Sequence, residues 1–99
     1  MKATLRLRSR VILRDGAVVE MVVWDLPRKT EGRPHALKYR LYCGRDGRCL
    51  VRYDNETGKG DHVRYGEVER PYRFRTWEKL MEDFLADVER LTGGKHGET

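Results

Sequence analysis

Residues 52 to 65, RYDNETGKGDHVRY, gather three carboxylates, a histidine, an amide, cations and phenols around two glycines. His62 is the side chain best suited to moving protons near neutral pH, and Asp61, Glu56 or Asp54 can orient it or act as the second acid-base group. Lys59 and Arg64 supply the positive charge that a pentacovalent phosphorus demands, and Tyr53 completes the candidate catalytic set. The chemistry these types suit is metal-independent cleavage of an RNA phosphodiester, with the 2′-hydroxyl as nucleophile. Two other readings stand beside it. Asp54, Glu56, Asp61 and His62 can form an oxygen-rich site for Mg²⁺ or Mn²⁺. Asp54, Asn55 and Gly58 can simply shape a solvated turn. Adjacent residues of an extended segment point to opposite faces, which weakens Asp61 and His62 as a pair.

The elements that must position this loop are strands. From Leu5 to Leu13 the odd positions are mostly apolar and the even ones carry Arg6, Arg8 and Arg10, a period of two with one arginine face. Asp15-Gly16 turns the chain into a second β-rich run, Val18 to Trp24. A loop that includes Ala17 sets Leu13 against Val19 and Val11 against Met21, and brings Arg8 across from Trp24 for a cation-π contact. Residues 26–36 hold two prolines and several charges and form a long loop of the functional kind. A second hairpin, Leu37 to Cys43 and Arg48 to Asp54, turns at Asp46-Gly47. It buries Leu41, Cys43, Cys49, Val51 and Tyr53 and leaves Lys38, Arg40 and Arg52 on the other face.

His62 to Tyr65 reads as a short fifth strand. Thr76 is the expected N-cap of a helix whose stripe is Trp77, Leu80, Met81, Phe84, Leu85, Val88 and Leu91, ended by Gly93. The expected fold is α+β. An antiparallel four- to five-stranded sheet is built from two β-hairpins, and a C-terminal amphipathic helix covers one of its faces. Residues 1–92 form a single domain and 93–99 a flexible tail.

The net charge is +5, and residues 1–14 hold five bases and no acid. Such a body suits an anionic partner, foremost nucleic acid, with Arg6, Arg8, Arg10, Arg40, Arg52 and Arg64 as the binding set on the uncovered face. Tyr42, Tyr65 or Trp24 are placed to stack on bases of single-stranded RNA. No apolar run is long enough to cross a membrane and no signal-peptide core is visible, so a cytoplasmic protein is expected. Cys43 and Cys49 read as reduced thiols, with a cross-strand disulfide as the minor alternative. No P-loop, GxGxxG or metal-binding cysteine array occurs, so no cofactor or metal is expected. The apolar Val18–Trp24 run suits a homodimer through the sheet, a surface that binds a protein partner, or a central strand buried on both faces.

The segments DGAVVEMVVWDLP, HALKYRLYC, RYDNETGKGDH and PYRF, the last before the amphipathic helix, resemble the small bacterial and archaeal proteins of the TumE family, toxins of two-gene toxin-antitoxin modules. The resemblance covers roughly residues 3 to 91, and its most specific part is YDNE-x-GKGDH, residues 53 to 62. The family's usual basic or histidine run after GDH is Val63-Arg64 here. The resemblance implies a toxin paired with a helix-turn-helix antitoxin. Together with the basic sheet it leads to an expected RNA-directed toxin acting as an endoribonuclease. The alternative is a non-enzymatic module that binds nucleic acid or protein through that face.

Overall fold

The computed structural model describes residues 2–30, 33–55 and 60–93. Six strands, β1 (Thr4–Ile12), β2 (Val18–Asp25), β3 (Leu37–Arg45), β4 (Arg48–Asp54), β5 (His62–Tyr65) and β6 (Val68–Pro71), form one antiparallel meander in chain order, followed by helix α1 (Trp77–Leu91). The expected four or five strands become six because Gly66, at φ 60, turns the chain straight into β6. In β6 every residue is exposed, so it carries no apolar alternation to reveal it.

Odd residues of the central strands make the core. Val19, Val23, Leu41, Cys43, Val51, Tyr53 and Val63 are buried beneath Leu80, Phe84 and Val88 of α1. Thr76 caps the helix as expected, its Oγ1 accepting the Lys79 N–H at 3.0 Å, and Gly93 adopts φ 91 beyond its end. Leu85 departs from the stripe, at 43% exposure. Fifteen residues of helix span about 22 Å. The longest dimension of the molecule is 44 Å, and α1 packs chiefly on β4. The outer strand β1 therefore lies largely beyond its cover.

The first hairpin closes more tightly than expected. Leu13 N–H donates to Ala17 O at 2.8 Å, Gly16 takes φ 90, and Asp15 Oδ1 accepts the Ala17 N–H at 3.0 Å. The register becomes Val11 opposite Val19, Arg8 opposite Val22 and Leu5 opposite Trp24. This is a two-residue shift that keeps the faces but removes the Arg8–Trp24 contact. The second hairpin turns at Asp46 and Gly47, with φ 55 and 76, the pair of positive angles that a two-residue hairpin turn requires.

Two bulges move residues between faces. The register breaks between Leu5 and Leu7, and Arg6 swings to the helix side, where it bonds Asp25 at 2.7 Å and lies 5.5 Å above the Trp77 ring. A second break at Cys43/Gly44 sets Cys49 opposite Gly44 on the uncovered face, while Cys43 stays in the core. Both thiols are free.

Val18–Trp24 runs between β1 and β3, with Val19 and Val23 buried and Trp24 half-buried. Among the described residues no helix is long and apolar enough to cross a membrane.

Candidate functional site

Strand register assembles the site. Asp54 lies opposite His62 and Arg52 opposite Arg64; across the next ladder Pro71 lies opposite His62 and Glu69 opposite Arg64. Directly opposed residues share a face, so Arg52, Asp54, His62, Arg64 and Glu69 all project from the side that α1 leaves open. His62 is 5% exposed and Asp54 2%. The His62 Nδ1–H donates to Gly60 O at 3.0 Å, and Nε2 touches Asp54 Oδ1 and lies 3.0 Å from Glu69 Oε2. Both ring nitrogens face acceptor oxygens. Arg52 Nε sits 3.0 Å from Asp54 Oδ2. Neither that nitrogen nor Asp54 Oδ1 is aligned for a hydrogen bond, so these are charge contacts held off the bonding direction. Beside them is an open depression of about 380 Å³ lined by Asp61, His62, Glu69, Arg70 and Pro71.

Asp61 belongs to a different cluster. Its Oδ1 accepts the Tyr39 hydroxyl at 2.6 Å and the His35 Nε2–H at 3.0 Å. His35 Nδ1 accepts the Leu37 N–H at 3.2 Å, which fixes the tautomer with the proton on Nε2. The imidazole packs against Phe74 with the rings tilted by 36° and their centroids 4.0 Å apart. Buried Asn55 extends the same fastening: its Oδ1 accepts the Tyr39 N–H at 3.1 Å and its amide donates to Leu37 O at 2.7 Å. Arg33 donates to Asn55 O at 2.8 Å. The loop before β3 is thereby tied to the segment before β5. Asp61 is the neighbour of His62 in sequence, but alternation sends their side chains apart.

Tyr53 also lies away from His62. It projects under α1, where its hydroxyl and that of Tyr65 both donate to Asp87 Oδ2 at 2.6 Å, while Arg90 bonds Oδ1 at 2.9 Å. Tyr72 donates to Asp83 at 2.7 Å. Burial first, and the accepting carboxylate second, raise Tyr39, Tyr53, Tyr65 and Tyr72 above the ordinary phenol range. Asp83 and Asp87 of the acidic helix are thus acceptors for tyrosine. Glu56 and Lys59 lie outside the described residues.

The uncovered face carries Arg8, Arg10, Lys38, Arg40, Arg52 and Arg64, with Glu20, Asp54 and Glu69 among them. Arg6 is absent from it because of the bulge. Glu20 is shared by Arg10 at 3.2 Å and Arg40 at 3.8 Å, whereas Arg8 and Lys38 have no carboxylate partner among the described residues. Two arginine-lined clefts open here. One of about 360 Å³ involves Arg8, Arg10 and Arg40, and one of about 590 Å³ involves Arg48, Arg52 and Arg64. Arg40 covers the Tyr42 ring at 5.1 Å, and Tyr42 in turn runs over Gly44, where any Cβ would collide with it. Trp24 and Tyr42 are the aromatic groups of this face; Tyr65 is under the helix.

Of the sequence-derived set, Asp54, His62, Arg52 and Arg64 come together, with Arg8, Arg10 and Arg40 extending the same face. Glu69 and His35 were missed. Glu69 lies in a strand without a pattern, and the His35–Asp61 pair joins residues 26 apart. Among the described residues no group of three or more histidine, cysteine or acidic side chains is arranged to hold a metal. The model of one protein family, described as toxin TumE, matches residues 2–92. No curated protein matches the chain. Nor does any solved structure.

Proposed function

Because the chain belongs to the TumE family of toxins, we propose that it is an RNA-directed toxin, a metal-independent endoribonuclease that works on the uncovered sheet face and is neutralised by a partner antitoxin of the helix-turn-helix type. The observation that carries the reading is a histidine and a glutamate 3.0 Å apart on a face rich in arginine. Glu69, with its side chain 33% exposed, is the base that takes the 2′-hydroxyl proton. The 2′-oxygen attacks phosphorus, the bond to the 5′-oxygen breaks, and His62 Nε2 gives its proton to that leaving oxygen. The products are a 2′,3′-cyclic phosphate and a 5′-hydroxyl.

Asp54, buried against His62, holds the ring in place. Arg52 and Arg64 face the charge that builds on the phosphorane. Arg8, Arg10, Lys38 and Arg40 bind neighbouring phosphates, and Trp24 and Tyr42 offer stacking surfaces. In the resting protein Glu69 closes on His62, so RNA enters by separating them.

The 5% exposure of His62 favours a second reading, a non-enzymatic module that binds RNA or protein with the same face. Incubating total RNA with wild-type protein and with His62→Ala, each with and without EDTA, separates the two. The ribonuclease reading expects cutting by wild-type alone, unaffected by EDTA. Equal cutting by both proteins, or none by either, refutes it.

A further inference from the structure

β1 is an edge strand of nine residues that, among the described residues, has no strand paired on its outer side. In the ladder to β2, Leu13 N–H donates to Ala17 O. Hydrogen-bonded and non-bonded pairs alternate, so the odd residues Val11, Ser9 and Leu7 bond inward and the amides of Arg8, Arg10 and Ile12 point outward. The side chains along this edge combine charge with apolar surface. Arg10 is 61% exposed, Ile12 61% and Val11 47%, and Arg8 has no carboxylate partner among the described residues. The opposite edge is unlike it: β6 has four residues, ends in Pro71 and carries Glu69.

Charge alone is a common guard on an edge strand. Charge beside two exposed branched aliphatics is a poor guard and a good receptor. A second copy is the wrong occupant, because antiparallel pairing of β1 with itself about its middle, centred on Arg8, Ser9 or Arg10, sets Arg8 or Arg10 against an arginine of the other copy, and opposed like charges destabilise a ladder. We propose that the outer edge of β1 is a docking site for an extended acidic segment of a protein partner, which adds a seventh strand and sets carboxylates opposite Arg8 and Arg10 with apolar residues beside Val11 and Ile12. This assignment does not depend on ribonuclease activity. An acidic strand there also removes two cations from the uncovered face, so the same contact weakens any anion held by it.

The test uses the full chain, isotope-labelled, and a short acetylated peptide alternating glutamate and threonine, followed by amide NMR and hydrogen exchange. The expected result is slowed exchange at Arg8, Arg10 and Ile12, with about tenfold weaker binding of the lysine counterpart peptide. Arg8→Glu with Arg10→Glu is expected to reverse that preference. The reversal also demonstrates that the variant is folded. A glutamate peptide N-methylated on its bonding side is expected not to bind. Four results overturn the proposal: equal binding of the N-methylated peptide, protection at residues outside β1, no binding of either peptide, or protection of these amides by self-association without peptide.

Discussion

Replacing Glu69 with glutamine is expected to separate binding from chemistry at the proposed site. Glu69 lies 3.0 Å from His62 Nε2, with its side chain one-third exposed at 33% and that of His62 at 6%. Contacts between opposite charges that solvent still reaches are worth about 0.2–1 kcal/mol, and in the proposed mechanism RNA breaks this one to reach the histidine. Glutamine keeps the shape but removes the charge, and Asp54 still holds the ring, so RNA affinity is expected to rise by up to about fivefold. Cleavage is expected to move the other way. Loss of a positioned base costs about a hundredfold or more in kcat. The residue sits on an exposed edge strand, so the melting temperature should stay within a few degrees. Single-turnover cleavage with fluorescence-anisotropy binding reads both quantities. Wild-type cleavage by Glu69→Gln removes the base from the mechanism, and weakened RNA binding contradicts the closed resting contact.

Asp87→Ala strips two tyrosine hydroxyls of their acceptor, one of them on fully packed Tyr53, and is expected to cost about 3 kcal/mol, measured by urea denaturation. Adding Tyr53→Phe and Tyr65→Phe to that variant should recover most of the loss, because no unsatisfied hydroxyl is left. The four tyrosines shifted upward give a pH dependence. They are neutral in the folded state where the unfolded chain would ionise, so their contribution is complete below pH about 10 and is lost as pH climbs beyond it. Thermal melts from pH 7 to 11, with tyrosinate absorbance, should show these phenols ionising only as the protein unfolds. Gly44→Ala places a methyl against Tyr42 and 2.7 Å from Arg48 O, and is expected to cost about 1–3 kcal/mol and to release Tyr42 from its place on the uncovered face, visible in its ring resonances.

The parity of strands carried most of the fold. Leu41, Cys43, Val51 and Tyr53 announce a buried face by alternating with Arg40 and Arg52, and the helix stripe announces what covers it. Bulges break that inference, since one extra residue reverses every face beyond it. Arg6 and Cys49 changed sides for this reason; Gly44 marks the second bulge in the sequence, whereas the first has no mark in local composition. The site was half legible. Asp54 and His62 stood out as chemistry, but their opposition is a property of the β4–β5 register, and the choice between Asp54 and Asp61 follows from alternation alone. Glu69 lay hidden in VERP, a strand with one apolar residue, and His35 needed the fold to bring it to Asp61.

In the proposed mechanism the RNA's own 2′-hydroxyl attacks, with His62 and Glu69 moving the protons. The decisive experiment maps the ends left by wild-type protein on a defined RNA, beside the same RNA made 2′-deoxy at the nucleotide preceding each cut. The expected result is 2′,3′-cyclic phosphate and 5′-hydroxyl ends, and no cut at the substituted positions. Cleavage of the deoxy-substituted strand, or 5′-phosphate ends, would contradict it.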